Sequence, residues 1–187
     1  MAGKPTFTQE VTNLMYAAEG SPVTACMQCG TCSGSCPAAG FMEHSPREII
    51  AMIHAGLRDK VLESNTFWSC ASCYYCTVKC PRGIDIAELM YGLKRYSIWR
   101  NRYKRGLIGP KFSRSFIRMI VRGGRIWEPG LATSYIFRRG PLGMVEEGIT
   151  AMRLFAKGRI PVFPPRIRGA KGLRKILGRI VPVGGLR

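Results

Sequence analysis

The sequence predicts a mainly α-helical fold: a helical domain over residues 1–100 that carries two cysteine loops, then an extended, partly helical arm over 101–187. Three observations predict it. The eight cysteines fall into two equal motifs, each motif leads into a helix with a legible cap, and the composition changes abruptly behind the last cysteine. Residues 1–80 hold 5 Lys/Arg against 6 Asp/Glu, whereas 81–187 hold 24 against 5, so the net charge of +18 belongs almost wholly to the second half.

The start, Met-Ala-Gly-Lys-Pro-Thr-Phe-Thr-Gln-Glu, has no apolar stretch behind its single Lys, so no signal peptide is expected and a cytoplasmic placement follows. Nor does any run approach the ~18 consecutive apolar residues of a membrane span. In a reducing compartment eight cysteines point to metal or redox ligation and away from disulfides.

The first motif is Cys26-Met-Gln-Cys29-Gly-Thr-Cys32-Ser-Gly-Ser-Cys36-Pro37, and the second is Cys70-Ala-Ser-Cys73-Tyr-Tyr-Cys76-Thr-Val-Lys-Cys80-Pro81. Both read C-x2-C-x2-C-x3-C-P, offset by 44 residues at every cysteine. Three cysteines at this spacing wrap one face of a cuboidal cluster, each thiolate reaching a different iron. In two-cluster ferredoxins the fourth ligates the other cluster. That pairing gives cluster I as Cys26, Cys29, Cys32 and Cys80, and cluster II as Cys70, Cys73, Cys76 and Cys36. Zinc is the competing reading, since two C-x2-C pairs complete a tetrahedral site. It leaves the remaining cysteines and both Cys-Pro dipeptides without a purpose.

After Cys36, Ser45 is placed to cap a helix, Pro46 suits its first position and Glu48 completes a capping box. Ile49, Ile50, Met52, Ile53 and Leu57 then share one face. After Cys80, Asp85-Ile-Ala-Glu88 repeats the pattern, and Ile86, Leu89, Met90, Leu93 and Ile98 follow at helical spacing. With no alternating run near either motif, an α-helical ferredoxin with pseudo-twofold symmetry is expected. Phe67, Trp68, Tyr74 and Tyr75 are candidates to exclude water from cluster II, or else ordinary core aromatics. His44 and His54 receive no role, and no residues group for acid–base catalysis. The glycine pairs Gly123-Gly124 and Gly184-Gly185 do not match a phosphate-binding loop.

On the first motif, on Ser45-Pro46-Arg47-Glu48-Ile49-Ile50 and on Trp68-Ser-Cys70-Ala-Ser-Cys73-Tyr-Tyr-Cys76, the first hundred residues resemble the C-subunit family of heterodisulfide reductase. Similar modules occur in the iron–sulfur subunits of succinate dehydrogenase and anaerobic glycerol-3-phosphate dehydrogenase, which leaves another respiratory dehydrogenase as the alternative. The resemblance implies a non-catalytic member of a hetero-oligomer. It would conduct electrons between a partner that carries flavin and iron–sulfur clusters and a catalytic partner that bears CCG motifs. This chain has no CCG motif, so the resemblance assigns it the relay.

The tail goes beyond that module, and resembles the longer bacterial and sulfur-metabolising versions more than a short methanogen form. From Asn101 on, Gly and Pro break the helical pattern into short pieces. Phe112, Phe116, Ile117 and Ile120 suit one face of a short helix, with Arg114, Arg118 and Arg122 elsewhere. Leu131, Tyr135, Ile136, Met144, Val145, Ile149, Met152, Leu154 and Phe155 supply further apolar patches. Such pieces need a surface, and subunit docking provides one. Nucleic acid is the rival, with basic residues interleaved among Trp99, Tyr103, Phe112 and Trp127. Anionic lipid headgroups are a third reading, for Lys171 to Arg179.

Overall fold

A computed structural model describes residues 5–15, 22–136, 141–159, 163–164 and 167–180. Helices account for all the regular structure among them, as expected. The chain divides into two compact units, Met1–Leu107 and Ile108–Arg187.

In the first unit, α1 (Phe7–Leu14) precedes a 3-10 turn at Val23–Ala25 and the four-residue helix α2 (Thr31–Gly34) inside the first cysteine motif. A second 3-10 turn, Ala39–Phe41, leads to α3 (Pro46–His54), then α4 (Arg58–Glu63) and α5 (Thr66–Ser69). The short α6 (Tyr75–Val78) lies inside the second motif and α7 (Ile86–Arg100) closes the unit. Both caps expected from the sequence are present. Ser45 accepts from the Glu48 N–H while Glu48 reaches back to Ser45, with Pro46 in the first turn. Asp85 accepts from the Glu88 N–H at 3.0 Å. Ile49, Ile50 and Ile53 of α3 meet Leu89, Met90 and Leu93 of α7 in one core, together with Val61, Leu62 and Phe67.

The N-terminal helix α1 went unread in the sequence, although Thr6 and Gln9 form a full capping box and Phe7 and Val11 are one turn apart. Both side chains are buried in the core, each contributing roughly 1.5–3 kcal/mol. At Gly92 of α7 an added Cβ would lie 3.3 Å from the Leu14 Cβ and 3.4 Å from its carbonyl oxygen, so α1 packs where α7 lacks a side chain. Glu10 clasps the two helices. Its carboxylate accepts from Arg58 at 2.8 Å and from the Tyr96 hydroxyl at 2.5 Å, with Arg100 4.0 Å away. The Tyr96 hydroxyl, then Arg58, hold the Glu10 carboxyl below its usual range. A depressed acid stabilises the fold above its unfolded value of 4.5 and loses that contribution as pH falls through the folded value. Tyr96→Phe, which removes a part-buried hydrogen bond to a charged group, is expected to cost about 1.5 kcal/mol at pH 7. Amide exchange confined to α1 and the facing turns of α7 is the measurement, and a Glu10→Gln background should absorb most of the effect.

The second unit holds α8 (Ile108–Gly123), α9 (Glu128–Ile136), α10 (Pro141–Ala156) and α11 (Ala170–Ile180). Two of these run 16 residues, longer than the Gly and Pro spacing suggested, and they gather into a unit where the sequence suggested arms. Neighbouring elements rescue the weak sites. Arg174 of α11 donates to the Val121 and Arg122 carbonyls at the end of α8, at 3.4 and 3.1 Å, which satisfies carbonyls a helix end leaves open. Phe116, Ile117 and Ile120 are half-buried, whereas Phe112, Arg118 and Arg122 are exposed. Among the described residues of this unit Pro110 alone is fully buried, so its packing is shallow. The side chains of Tyr135, Ile136, Met144 and Val145, and the pair Gly184-Gly185, lie outside the described residues.

Candidate functional site: two cysteine-lined cavities

The two motifs fold as copies of one loop. Cys26 and Cys70 share φ/ψ of −65°/118° and −64°/119°. Gln28 and Ser72, at φ 58° and 55°, are matched left-handed residues, and so are Gly30 and Tyr74, at 83° and 61°. The second of these turns opens α2 in one motif and α6 in the other. A left-handed Ser or Tyr costs about 1–2 kcal/mol, which packing around the loop must hold in place. Ser33 and Thr77, each following its motif's third cysteine, repeat one further contact. The Ser33 hydroxyl oxygen accepts from the Arg47 N–H and the Thr77 oxygen accepts from the Ala87 N–H, both at 3.1 Å. Each motif is thereby pinned to the first turn of the helix behind it.

The loops repeat with an offset of 44, but the helix caps Ser45 and Asp85 repeat with an offset of 40. The extra four residues of the first repeat make room for the three-residue 3-10 turn at Ala39–Phe41. It is tied to α5, since Asn65 and Ser69 donate to the Phe41 carbonyl at 3.2 and 3.3 Å.

Two cavities result. The first is lined by Cys26, Cys29 and Cys32 of the first motif and by Cys80 of the second. The second is lined by Cys70, Cys73 and Cys76 and by Cys36 of the first motif. The helix starts lie between them and serve both. Pro46 of α3 faces the second cavity while Arg47 and Ile50 face the first; Ile86 of α7 faces the first while Ala87 and Met90 face the second. Short contacts of α2 with α6 and α3, and of α6 with α7, hold this centre.

The sulfur atoms stand in distinct environments. Gln28 donates to Cys26 Sγ at 3.5 Å, the Ile84 N–H to Cys80 Sγ at 3.4 Å, and Cys29 Sγ lies 3.4 Å from the Thr31 hydroxyl. That hydroxyl lowers the Cys29 thiol. Burial pushes the Cys32 thiol up, and pushes Cys76 up to about 11, with Cys70 nearby adding to the rise. Buried thiols ionise readily only against a cation, so loading these cavities with metal releases protons and is favoured by higher pH. Four thiols line each hollow, a donor set that a cluster whose irons present separate corners can use.

Of the four aromatics singled out in the sequence, Tyr74 and Tyr75 line the second cavity and remain about half exposed, at 46% and 54%. Phe67 is wholly buried in the core and Trp68 packs against it; neither reaches the cavity wall, so their part is packing. His54 contacts the Val23 carbonyl at 3.0 Å, and the His44 backbone pairs with Thr66. Both are structural. Sequence reasoning passed over Arg47 and Arg82, which line the first cavity. Arg47 read only as part of a capping segment, although its place one residue past Pro46 sets it on the cavity side.

Residues 22–84 match the 4Fe-4S dicluster domain family. The C subunit of the H2:CoB-CoM heterodisulfide, ferredoxin reductase of Methanothermobacter marburgensis is 36% identical over 87 residues, 46% of this chain and 47% of that protein. The iron–sulfur C subunit of the CoB–CoM heterodisulfide reductase of Methanopyrus kandleri is 39% identical over 88 residues, 45% and 46% of the two chains. The C subunit of the ferredoxin:CoB-CoM heterodisulfide reductase of Methanosarcina mazei is 35% identical over 107 residues, 57% and 62%. The chain thus spans about half the length of the first two relatives and somewhat more of the third. These methanogen proteins extend well past the matched stretch, so the contrast with a short methanogen form does not hold for them. Residues 22–84 thus match a 4Fe-4S dicluster domain, and over about half of the chain the protein is similar to heterodisulfide reductase C subunits.

Proposed function

We propose that this chain is the electron-transfer subunit of a heterodisulfide-reductase-like complex, with two 4Fe-4S clusters held by Cys26, Cys29, Cys32 and Cys80 and by Cys70, Cys73, Cys76 and Cys36. The observation that carries the reading is the make-up of the cavities, each with three thiols from one motif and the fourth from the other. The donor set fits, since four thiols per cavity are what a 4Fe-4S cluster takes. When bound, such a cluster accepts and returns one electron without making or breaking bonds in a substrate. The residues of the chain do the rest. Gln28, Thr31 and the Ile84 N–H offer hydrogen bonds to sulfur, and Ile50, Ile86, Ala87 and Met90 give the hollows apolar walls.

The partners in this reading are a flavin and iron–sulfur protein and a catalytic CCG-motif protein, in keeping with the resemblance to heterodisulfide reductase. The second unit is the docking element. Ile149, Met152 and Phe155 of α10 are exposed, at 52%, 75% and 58%, and this half of the chain carries the positive charge. A partner with acidic patches around an apolar centre matches both features. The anaerobically purified chain is expected to contain about eight iron and about eight acid-labile sulfide. Zinc with little iron would end this reading.

A further inference from the structure

The pseudo-twofold provides an internal control, because each wall position of one cavity has a counterpart in the other. Counting 44 residues for the loops and 40 for the helices, Arg82 of the first cavity corresponds to Ala38 of the second, and Arg47 corresponds to Ala87. Two arginines, both partly open to solvent, thus stand in the wall of one cavity where two alanines stand in the wall of the other. Arg47 lies across the loop, with its Cδ 3.7 Å from where a Cβ on Gly30 would sit. The Arg82 Nε donates to the Ala25 carbonyl at 3.2 Å, beside Cys26.

The remaining charges do not reverse this difference. Glu48 and Glu88 are counterparts: Glu48 accepts from the Ser45 N–H at 2.6 Å beside Arg47, and Glu88 pairs with Arg95, a pair that does not line the second cavity. Near the second cavity, Lys94 donates to the Cys70 carbonyl at 3.2 Å and Lys79 sits 5.0 Å from the centre of the Tyr75 ring, but neither lines the cavity. Asp85 opposes them, holding Thr77 at 3.1 Å where the first repeat has the neutral Ser45. Hydrogen bonds to sulfur tilt the same way. Gln28, Thr31 and the Ile84 N–H serve the first cavity, and the matched Ser33 and Thr77 contacts to Cys32 and Cys76 offset each other.

We propose that the two sites are electrically polarised: a cluster in the first cavity has the higher reduction potential, set by Arg47 and Arg82, and an electron entering the chain comes to rest there. The inference rests on the two-cluster reading above. Positive charge and N–H donors near a cluster stabilise its reduced, more negative form. The step it biases is a one-electron exchange with no proton, in which the reduced second site is oxidised as the oxidised first site is reduced. Arg47 and Arg82 are positioning residues in this process, since they adjust the field and do not ligate.

The test is a dithionite titration of the full chain followed by electron paramagnetic resonance, with iron counted in every sample. Arg47→Ala should lower the first, higher-potential reduction step and leave the other in place. The expected size is roughly tenfold in the exchange equilibrium, equivalent to about 59 mV for a one-electron couple. Arg47→Lys should restore most of it. The reciprocal Ala38→Arg, which adds charge at the half-buried wall position matched to Arg82, should raise the lower step and narrow the gap. It also decides the matter should Arg47→Ala lose iron. With both clusters intact, movement of the lower step by Arg47→Ala, or of neither step by either variant, overturns the polarity. An unaltered chain with clearly less than about eight iron overturns the two-cluster reading itself, and the polarity with it.

Discussion

Cys80→Ala is expected to remove the cluster of the first motif, although Cys80 lies in the second. In the folded chain Cys80 shares a cavity with Cys26, Cys29 and Cys32, and the adjoining Pro81, Arg82 and Ile84 line the same wall. Its sulfur already accepts the Ile84 N–H from within the turn that leads to α7. Losing one thiol of four leaves an iron corner without a protein ligand, so the sample should fall from about eight iron to about four. Single substitutions cannot say which cluster has gone, but pairs can. If Cys80 and Cys26 serve one cluster, Cys26→Ala with Cys80→Ala costs no more iron than either alone, the non-additivity of groups acting as a unit. Cys70→Ala with Cys80→Ala should then strip nearly all the iron. The opposite pattern, with Cys70 and Cys80 behaving as one unit, would mean that each motif closes on its own cluster and that the cavities mislead.

The sequence made some of this fold legible because some interactions are local. A cap at Ser45 or Asp85 needs only its own next turn, and the apolar spacing of Ile49, Ile50 and Ile53 needs only the helix period. A cysteine motif is likewise read within a dozen residues. The clasp of Glu10 on Arg58 and Tyr96 was not legible, since its partners lie 48 and 86 residues away. The helix carrying Glu10 did have a local signal, Thr6 and Gln9 in a capping box, but with only 8 residues its apolar pattern reduces to little more than Phe7 and Val11. Arg47 and Arg82 were obscured for another reason. Their meaning comes from comparison with Ala87 and Ala38, which requires two offsets, 44 for the loops and 40 for the helices, and a single-offset repeat misaligns one pair or the other. In the tail, Gly123, Gly124 and Pro129 do punctuate the helices as expected. The end of α8 is held instead by a distant segment, with Arg174 on the carbonyls that close it.

Cutting the chain after Leu107 is expected to leave both clusters in place and to abolish assembly with the partner proteins. The cut follows from the first unit's own contacts. A boundary at Arg100, where α7 stops, would discard Arg102 and Lys104, which pair with Asp59 at 3.5 Å and Glu43 at 3.5 Å. Every cysteine, the core from Phe7 to Tyr96 and both cavities lie before Leu107, so iron content should match that of the full chain. What the cut removes is most of the basic charge and the exposed apolar residues of α10. Lost interfaces of that kind typically cost several kcal/mol, enough to dissociate a complex at the micromolar concentrations of size-exclusion chromatography. Salt separates the rival reading: binding to nucleic acid should fall steeply between about 50 and 200 mM salt, whereas a docking surface with an apolar centre should survive that range. Assembly unaffected by the cut would leave the second unit without a docking role, and loss of iron on truncation would mean that it belongs to the cluster domain after all.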